Sequence, residues 1–223
     1  MNPWELLDSC SVSGEGGEMR LYRRDLEYSI RTGNQELMNS RVHGSEEALA
    51  ELACKRINTR PQPRILIGGL GMGYTLAAAL NSLGATAEVV MAELVPAVIK
   101  WNQTLLGPLA GTPLTDKRVT LFEGDVGKLI RSQQNSYDAI LLDVDNGPEG
   151  LTRKENNSLY SPGGLSAAST ALRPGGIFAV WSITPDSAFT KKLQRAGFNV
   201  EEIRARARGN RGARHMIWLG SKR

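Results

Sequence analysis

The chain of 223 residues is 41% hydrophobic and 22% charged, with a formal net charge of +4, the make-up of an ordinary globule with one main domain. Its longest apolar runs, around residues 65–70 and 139–142, fall far short of the roughly 20 residues of a membrane span, and Met1-Asn2-Pro3-Trp4-Glu5 lacks the regions of a signal peptide, so a cytoplasmic protein is expected. Cys10 and Cys54 are too few and too isolated for a disulfide framework or a zinc site; they read as reduced thiols, and nothing requires a metal.

In chain order, residues 11–17 are rich in Ser, Gly and Glu and read as a loop, while 19–24 and 27–31 alternate around Asp25 as the two strands of a small β-hairpin. A lead-in helix then begins at Ser45, a good N-cap residue, with Glu46 and Glu47 at its positive end. Pro61-Gln62-Pro63 ends that helix. From there strands and helices alternate: strand 64–67, helix 74–83, strand 87–91, and a helix from Pro96 to about residue 105 with its proline at an allowed first-turn position. Residues 119–122, 137–142 and 177–181 are short apolar runs of buried-strand type, separated by 126–133 and by a helix near 165–172. The turn Arg173-Pro174-Gly175-Gly176 punctuates that helix and its strand, 187–196 is helical with Gly197 as its stop, and 200–204 with 215–219 form a closing strand pair.

From the end of the first of these strands to the start of the second run Arg204, Arg206, Arg208, Arg211 and Arg214. They read as a solvated loop, or else as a rim for an anionic substrate or nucleic acid, and the lack of interleaved aromatics counts against nucleic acid. The whole pattern predicts an α/β fold: a hairpin and lead-in helix over 1–60, then over 61–223 a largely parallel sheet covered on both faces. Its ligand would sit at the carboxyl ends of the strands.

The strand at 64–67 runs into Gly68-Gly69-Leu70-Gly71-Met72-Gly73. Alternate glycines let the backbone approach a ligand closely. Gly69, Gly71 and Gly73 are followed by Tyr74 where a dinucleotide loop needs its third glycine, so the spacing selects an adenosyl-sulfonium ligand. Three acids follow successive strands. Glu93, twenty residues beyond Gly73, is placed to accept both ribose hydroxyls; Asp125 is placed to accept from an adenine amino group, with Val126 against the ring; Asp143 lies where the reactive end of the ligand would be. Each alone reads equally well as a loop carboxylate or helix cap, but three in this order are hard to dismiss. Asp145 is either a second acid of the site or an Asx-turn residue beside Asn146-Gly147. His43, Glu47, Tyr160 and Trp181 are candidates for the acceptor wall, each against a plainer reading as loop, helix-end or core residue, while His215 reads as a strand residue.

These motifs, with Tyr137-Asp138-Ala139-Ile140 leading to Asp143 and then Leu172-Arg173-Pro174-Gly175-Gly176, resemble the spermidine synthase family of polyamine aminopropyltransferases. That family is a branch of the class I S-adenosylmethionine-dependent methyltransferase fold. The resemblance covers roughly 64–181 and implies a Rossmann-like seven-stranded sheet with the last strand antiparallel. It implies S-adenosylmethionine or decarboxylated S-adenosylmethionine as cofactor, held by Gly69, Gly71, Gly73, Glu93, Asp125 and Val126. It also implies Asp143, assisted by Asp145, as the acid that orients and deprotonates an attacking amine. The implied partner is a small-molecule acceptor, an amine, and the exposed hairpin leaves a homodimer open.

Three departures from the family pattern bear on the reaction. Gly71 stands where the family keeps an aspartate that contacts the ammonium of the cofactor's aminopropyl group. The family's Asp-Ser-x-Asp-Pro-x-Gly-Pro is shortened by two residues to Asp143-Val144-Asp145-Asn146-Gly147-Pro148. Its Asp-Glu-Phe-x-Tyr-x-Glu-Met segment is replaced by residues 39–47, where Glu46 or Glu47 would substitute for the missing acid. Aminopropyl transfer to a polyamine-like amine, methyl transfer from intact S-adenosylmethionine, and cofactor binding without turnover all stay open.

Overall fold

A computed structural model describes residues 2–12, 17–144, 158–208 and 211–223, with the side chains of Arg208 and Arg211 left out. Four strands, β1 (Glu5–Ser11), β2 (Glu18–Arg24), β3 (Glu27–Thr32) and β4 (Gln35–Asn39), form an antiparallel sheet in sequence order. Helix α1 (Gly44–Ile57) leads to the alternating part: β5 (Arg64–Gly68), α2 (Tyr74–Ser82), β6 (Glu88–Glu93), α3 (Pro96–Gln103), β7 (Val119–Glu123), α4 (Val126–Arg131), β8 (Tyr137–Leu142), α5 (Pro162–Ala171), β9 (Leu172–Ser182), α6 (Ser187–Arg195), β10 (Phe198–Arg208) and β11 (Arg211–Lys222).

The large sheet has the order β10-β11-β9-β8-β5-β6-β7. β5 pairs in parallel with both β6 and β8, whereas β11 runs antiparallel to β9 and β10. This is the expected seven-stranded, mostly parallel architecture of the class I methyltransferase type. Alternate residues of β5 enter opposite cores: Ile65 and Ile67 join Leu49 of α1 and Leu76 of α2, while Leu66 joins Ile130, Leu165 and Phe189 from α4, α5 and α6. Burial on both faces explains why β8 carries six consecutive buried residues instead of an alternating pattern. Among the described residues no helix is long and apolar enough to cross a membrane.

At the N-terminus the structure departs from the expected hairpin, since β1 and β4 extend it to four strands. The β3–β4 turn is Gly33-Asn34, with Gly33 at φ 55°, a two-residue connection that favours a hairpin. Leu21 and Ile30 face each other across β2 and β3, are fully buried, and share the core of Leu49 and Ile65. Trp101 of α3 donates its indole N–H to Asp8 of β1 at 2.8 Å. The small sheet is thereby seated over the α1–α3 side of the large one.

Three local expectations are corrected. Helix α1 starts at Gly44 with His43 at its cap position, and Ser45 makes no cap bond because its hydroxyl turns to Glu46 and His215. The segment Arg173–Gly176 lies inside β9, at a register shift opposite Tyr137 and Ala139, and not between helix and strand. The arginine cluster is not a solvated loop: β10 and β11 run through it, and Arg206 pairs directly with Arg214.

Candidate active site

At the carboxyl ends of β5–β9 a pocket opens beneath the small sheet. Of the residues singled out from the sequence, it gathers Gly69, Gly71, Glu93, Asp125, Val126, Asp143 and Trp181. The glycine loop closes it on one side. Gly69 has φ 88°, and a Cβ there would overlap the carbonyl oxygen of Asp143, so only glycine lets the ends of β5 and β8 meet this closely. Gly71, at φ 53°, faces Met38 of β4, whose sulfur lies 3.1 Å from where a Cβ would stand. Gly73 does not line the pocket; it holds the N-cap position of α2 at φ 86°.

Glu93 ends β6 and is buried. Its two carboxylate oxygens each accept a backbone N–H at 2.8 Å, one from Leu70 of the glycine loop and one from Val95. Two fixed bonds hold the carboxylate plane where it lines the pocket, and each carboxylate oxygen can accept more than one hydrogen bond, as binding a diol requires. Asp125 answers both of its sequence readings at once: Oδ1 caps α4 by accepting from the Gly127 N–H at 2.7 Å, while the acid still lines the pocket. Its Oδ2 lies 3.7 Å from the Arg131 guanidinium. Val126 and the partly exposed Leu94, each the residue after one of these acids, add apolar surface to the pocket.

Asp143 follows β8, where the Thr75 hydroxyl of α2 donates to its Oδ2 at 2.5 Å. Burial raises its carboxyl to about 6, against the pull of that hydrogen bond. Glu46, on the first turn of α1, enters the same pocket, and burial followed by the charge of Asp143 raises it to about 7. Two carboxyls poised near neutrality in one enclosed site can each hold or accept a proton at physiological pH.

The remaining candidates go elsewhere. Glu47 pairs with His43 Nδ1 at 2.9 Å, His43 stacks on Tyr74 with ring centroids 4.0 Å apart, and neither lines the pocket. Tyr160 is buried edge-on against Phe189, at 5.5 Å, in the core on the other side of the sheet. Asp145 lies outside the described residues. Sequence reasoning passed over Thr75, Met38 and the apolar roof formed by Val12, Met19, Ile30 and Leu37. Of the two adjacent acids the sequence reading takes Glu47 for the acceptor site, and the structure brings in Glu46 instead. The helical rotation of about 100° per residue that separates it from Glu47 decides which one faces inward.

The spermine/spermidine synthase domain model matches residues 43–194. The chain belongs to that family. As a member of the spermine/spermidine synthase family it is a transferase, on a fold shared with methyltransferases. Spermidine synthase from Thermotoga maritima superposes with a TM-score of 0.77 at 18% identity, covering 98% of this chain and 73% of that one. A spermidine synthase in complex with the transition state analogue AdoDATO gives 0.76 at 17%, covering 98% and 72%. Human methyltransferase-like protein 13 in complex with SAH gives 0.63 at 20%, covering 81% and 82%. No curated protein sequence matches the chain significantly. Against the family pattern, the position of Gly71 offers no carboxylate, and a thioether fills the space beside it.

Proposed function

We propose that this chain binds S-adenosylmethionine or its decarboxylated form and alkylates an amine. The observation that carries the reading is the pair Glu46 and Asp143, two carboxyls raised toward neutrality in the same pocket as an anchored Glu93. The pocket fits an adenosyl group. Gly69 leaves room at the strand end, Glu93 presents a fixed carboxylate to ribose hydroxyls, Asp125 can accept from the adenine amino group, and Val126 with Leu94 offers apolar contact to the ring.

When bound, the sulfonium cofactor supplies an electrophilic carbon. The chain's own residues then have two tasks, to hold the acceptor in line and to take its proton. Asp143, held by Thr75, orients the acceptor's nitrogen and accepts its proton, and Glu46 shares the work; positioning of this kind supplies roughly 7–11 kcal/mol, and a base adds about 10²–10⁴-fold. The roof of Val12, Met19, Ile30, Leu37 and Met38 keeps water from the reacting atoms.

Two donors are consistent with this arrangement. Aminopropyl transfer follows the family, whereas Gly71 beside Met38 favours methyl transfer from the intact cofactor, because no acid stands there to balance the net positive aminopropyl tail, while the tail of the intact cofactor carries its own carboxylate. Calorimetry with S-adenosylmethionine, its decarboxylated form, methylthioadenosine and NAD tests both. Preference for the decarboxylated form selects aminopropyl transfer, preference for the intact form selects methyl transfer, and binding of NAD alone refutes the reading.

A further inference from the structure

One hydrogen-bonded chain runs from β11 to Glu46 in the pocket, and its other two members, Ser45 and His215, have no part in the chemistry above. The Ser45 hydroxyl, fully buried, lies 2.7 Å from Glu46 Oε2 and 2.8 Å from His215 Nδ1. His215 is only partly buried, and its ring meets Trp181 edge-on with centroids 4.8 Å apart.

A serine hydroxyl carries a single proton and cannot donate to both neighbours. With a neutral His215, two arrangements place the serine proton between the two neighbours. In one, Glu46 is ionised and accepts from Ser45, which accepts from Nδ1–H of a neutral His215. In the other, Glu46 holds a proton and donates it to Ser45, which donates to a bare Nδ1, and His215 keeps its proton on Nε2. Passing from the second to the first moves one proton from Glu46 to Ser45 and one from Ser45 to Nδ1, and releases one from Nε2.

We propose that Ser45 and His215 are positioning residues of a relay that carries the acceptor's proton out of the pocket. The proposal rests on the amine-alkylation reading. As the nitrogen–carbon bond forms and the carbon–sulfur electron pair returns to sulfur, the amine proton passes to Glu46; His215 then exchanges its Nδ1 proton for one on Nε2 through water, which gives the second arrangement, and the proton moves by Ser45 to Nδ1 as the Nε2 proton leaves to water, which restores the first. Glu46 is ionised again for the next acceptor.

The surroundings suit both ends of the relay. Glu46 is faced by Asp143 from the end of β8, by His43 ahead of α1, and by the Tyr74 phenol of α2, which burial and then Glu47 and Glu46 raise to about 12. Burial lowers His215, which favours the neutral imidazole. The neighbouring Arg206–Arg214 pair sits one residue along the ladder, on the opposite face of the sheet.

Nitrogen NMR of the histidine rings tests the relay in the unliganded protein, where His43 is the one other histidine and His43→Gln assigns the signals. The expected result is the Nδ1–H tautomer of His215 above about pH 8, shifting toward Nε2–H as Glu46 takes its proton near pH 7, and no such shift in Glu46→Gln or Ser45→Ala. A wild-type tautomer that stays constant through this range, or a shift that survives Ser45→Ala, overturns the relay. In turnover with 1,4-diaminobutane and the cofactor that calorimetry selects, His215→Gln is expected to lower kcat about tenfold or more with KM unchanged, and added imidazole to restore it. An unchanged kcat in His215→Gln also overturns it. Loss of cofactor binding in the wild type instead refutes the underlying function, and the ring spectra separate the two failures.

Discussion

Glu46→Gln replaces a carboxyl that the fold holds away from water by an uncharged side chain of the same shape. Burial and then the charge of Asp143 raise this carboxyl from the ordinary 4.5 to about 7, which corresponds to about 3 kcal/mol against the ionised form. Asp143 shares that figure, so removing one acid is expected to return about 1–3 kcal/mol at pH 8. The folded carboxyl binds its proton more tightly than the unfolded one. Its contribution is therefore most favourable below about pH 4.5 and is lost as pH rises through about 7. The variant and wild type should have nearly equal stability near pH 4.5 and diverge toward pH 8, with the variant melting about 2–10 °C higher. The Ser45 hydroxyl can still donate to the amide oxygen, so no buried donor is stranded. Urea unfolding and thermal melts of both proteins at the two pH values measure the difference. A variant no more stable than wild type at pH 8, or a gap of the same size at both pH values, refutes the electrostatic account of this pocket.

Asp143→Asn is expected to bind cofactor normally in calorimetry while turnover of an amine falls about 10²–10⁴-fold; wild-type kcat/KM should rise with pH through about 6–7 as the two carboxyls ionise. Glu93→Gln turns an amide NH2 toward one of the two backbone N–H groups that the carboxylate now receives. Cofactor affinity should drop about tenfold or more, with a loss of about 1–3 kcal/mol in urea unfolding, and an unchanged Kd removes Glu93 from the ribose assignment. Gly71→Asp combined with Met38→Ala restores an acid where the family has one and clears the thioether from its path. Competition calorimetry should then show a shift toward decarboxylated S-adenosylmethionine, and no shift would mean that the cofactor's tail lies elsewhere.

Much of the large domain was legible because its signals are local. The apolar runs of β5 and β8, the proline at the first turn of α3 and the alternate glycines after β5 each follow from covalent geometry and burial over a few residues. The small sheet was half legible: β2 and β3 alternate, but β1 and β4 were missed although Gly33-Asn34 marks the turn between β3 and β4. The arginine segment misled because repeated charge resembles a solvated loop, whereas alternate Ala205 and Ala207 bury one face of the strand and leave Arg204 and Arg206 outside.

By itself the sequence determined the order of strands and helices and the acids at the strand ends, since a carboxyl-end loop must follow each strand that chain order creates. Only the tertiary structure decided which acids meet. Glu46 comes from a helix outside the strand-end series and reaches Asp143 through the packing of α1 on the large sheet. Ser45, a cap residue in any local reading, instead joins Glu46 to His215 across 170 residues of chain. Such contacts arise when burial brings distant polar groups together and leaves them only each other as partners.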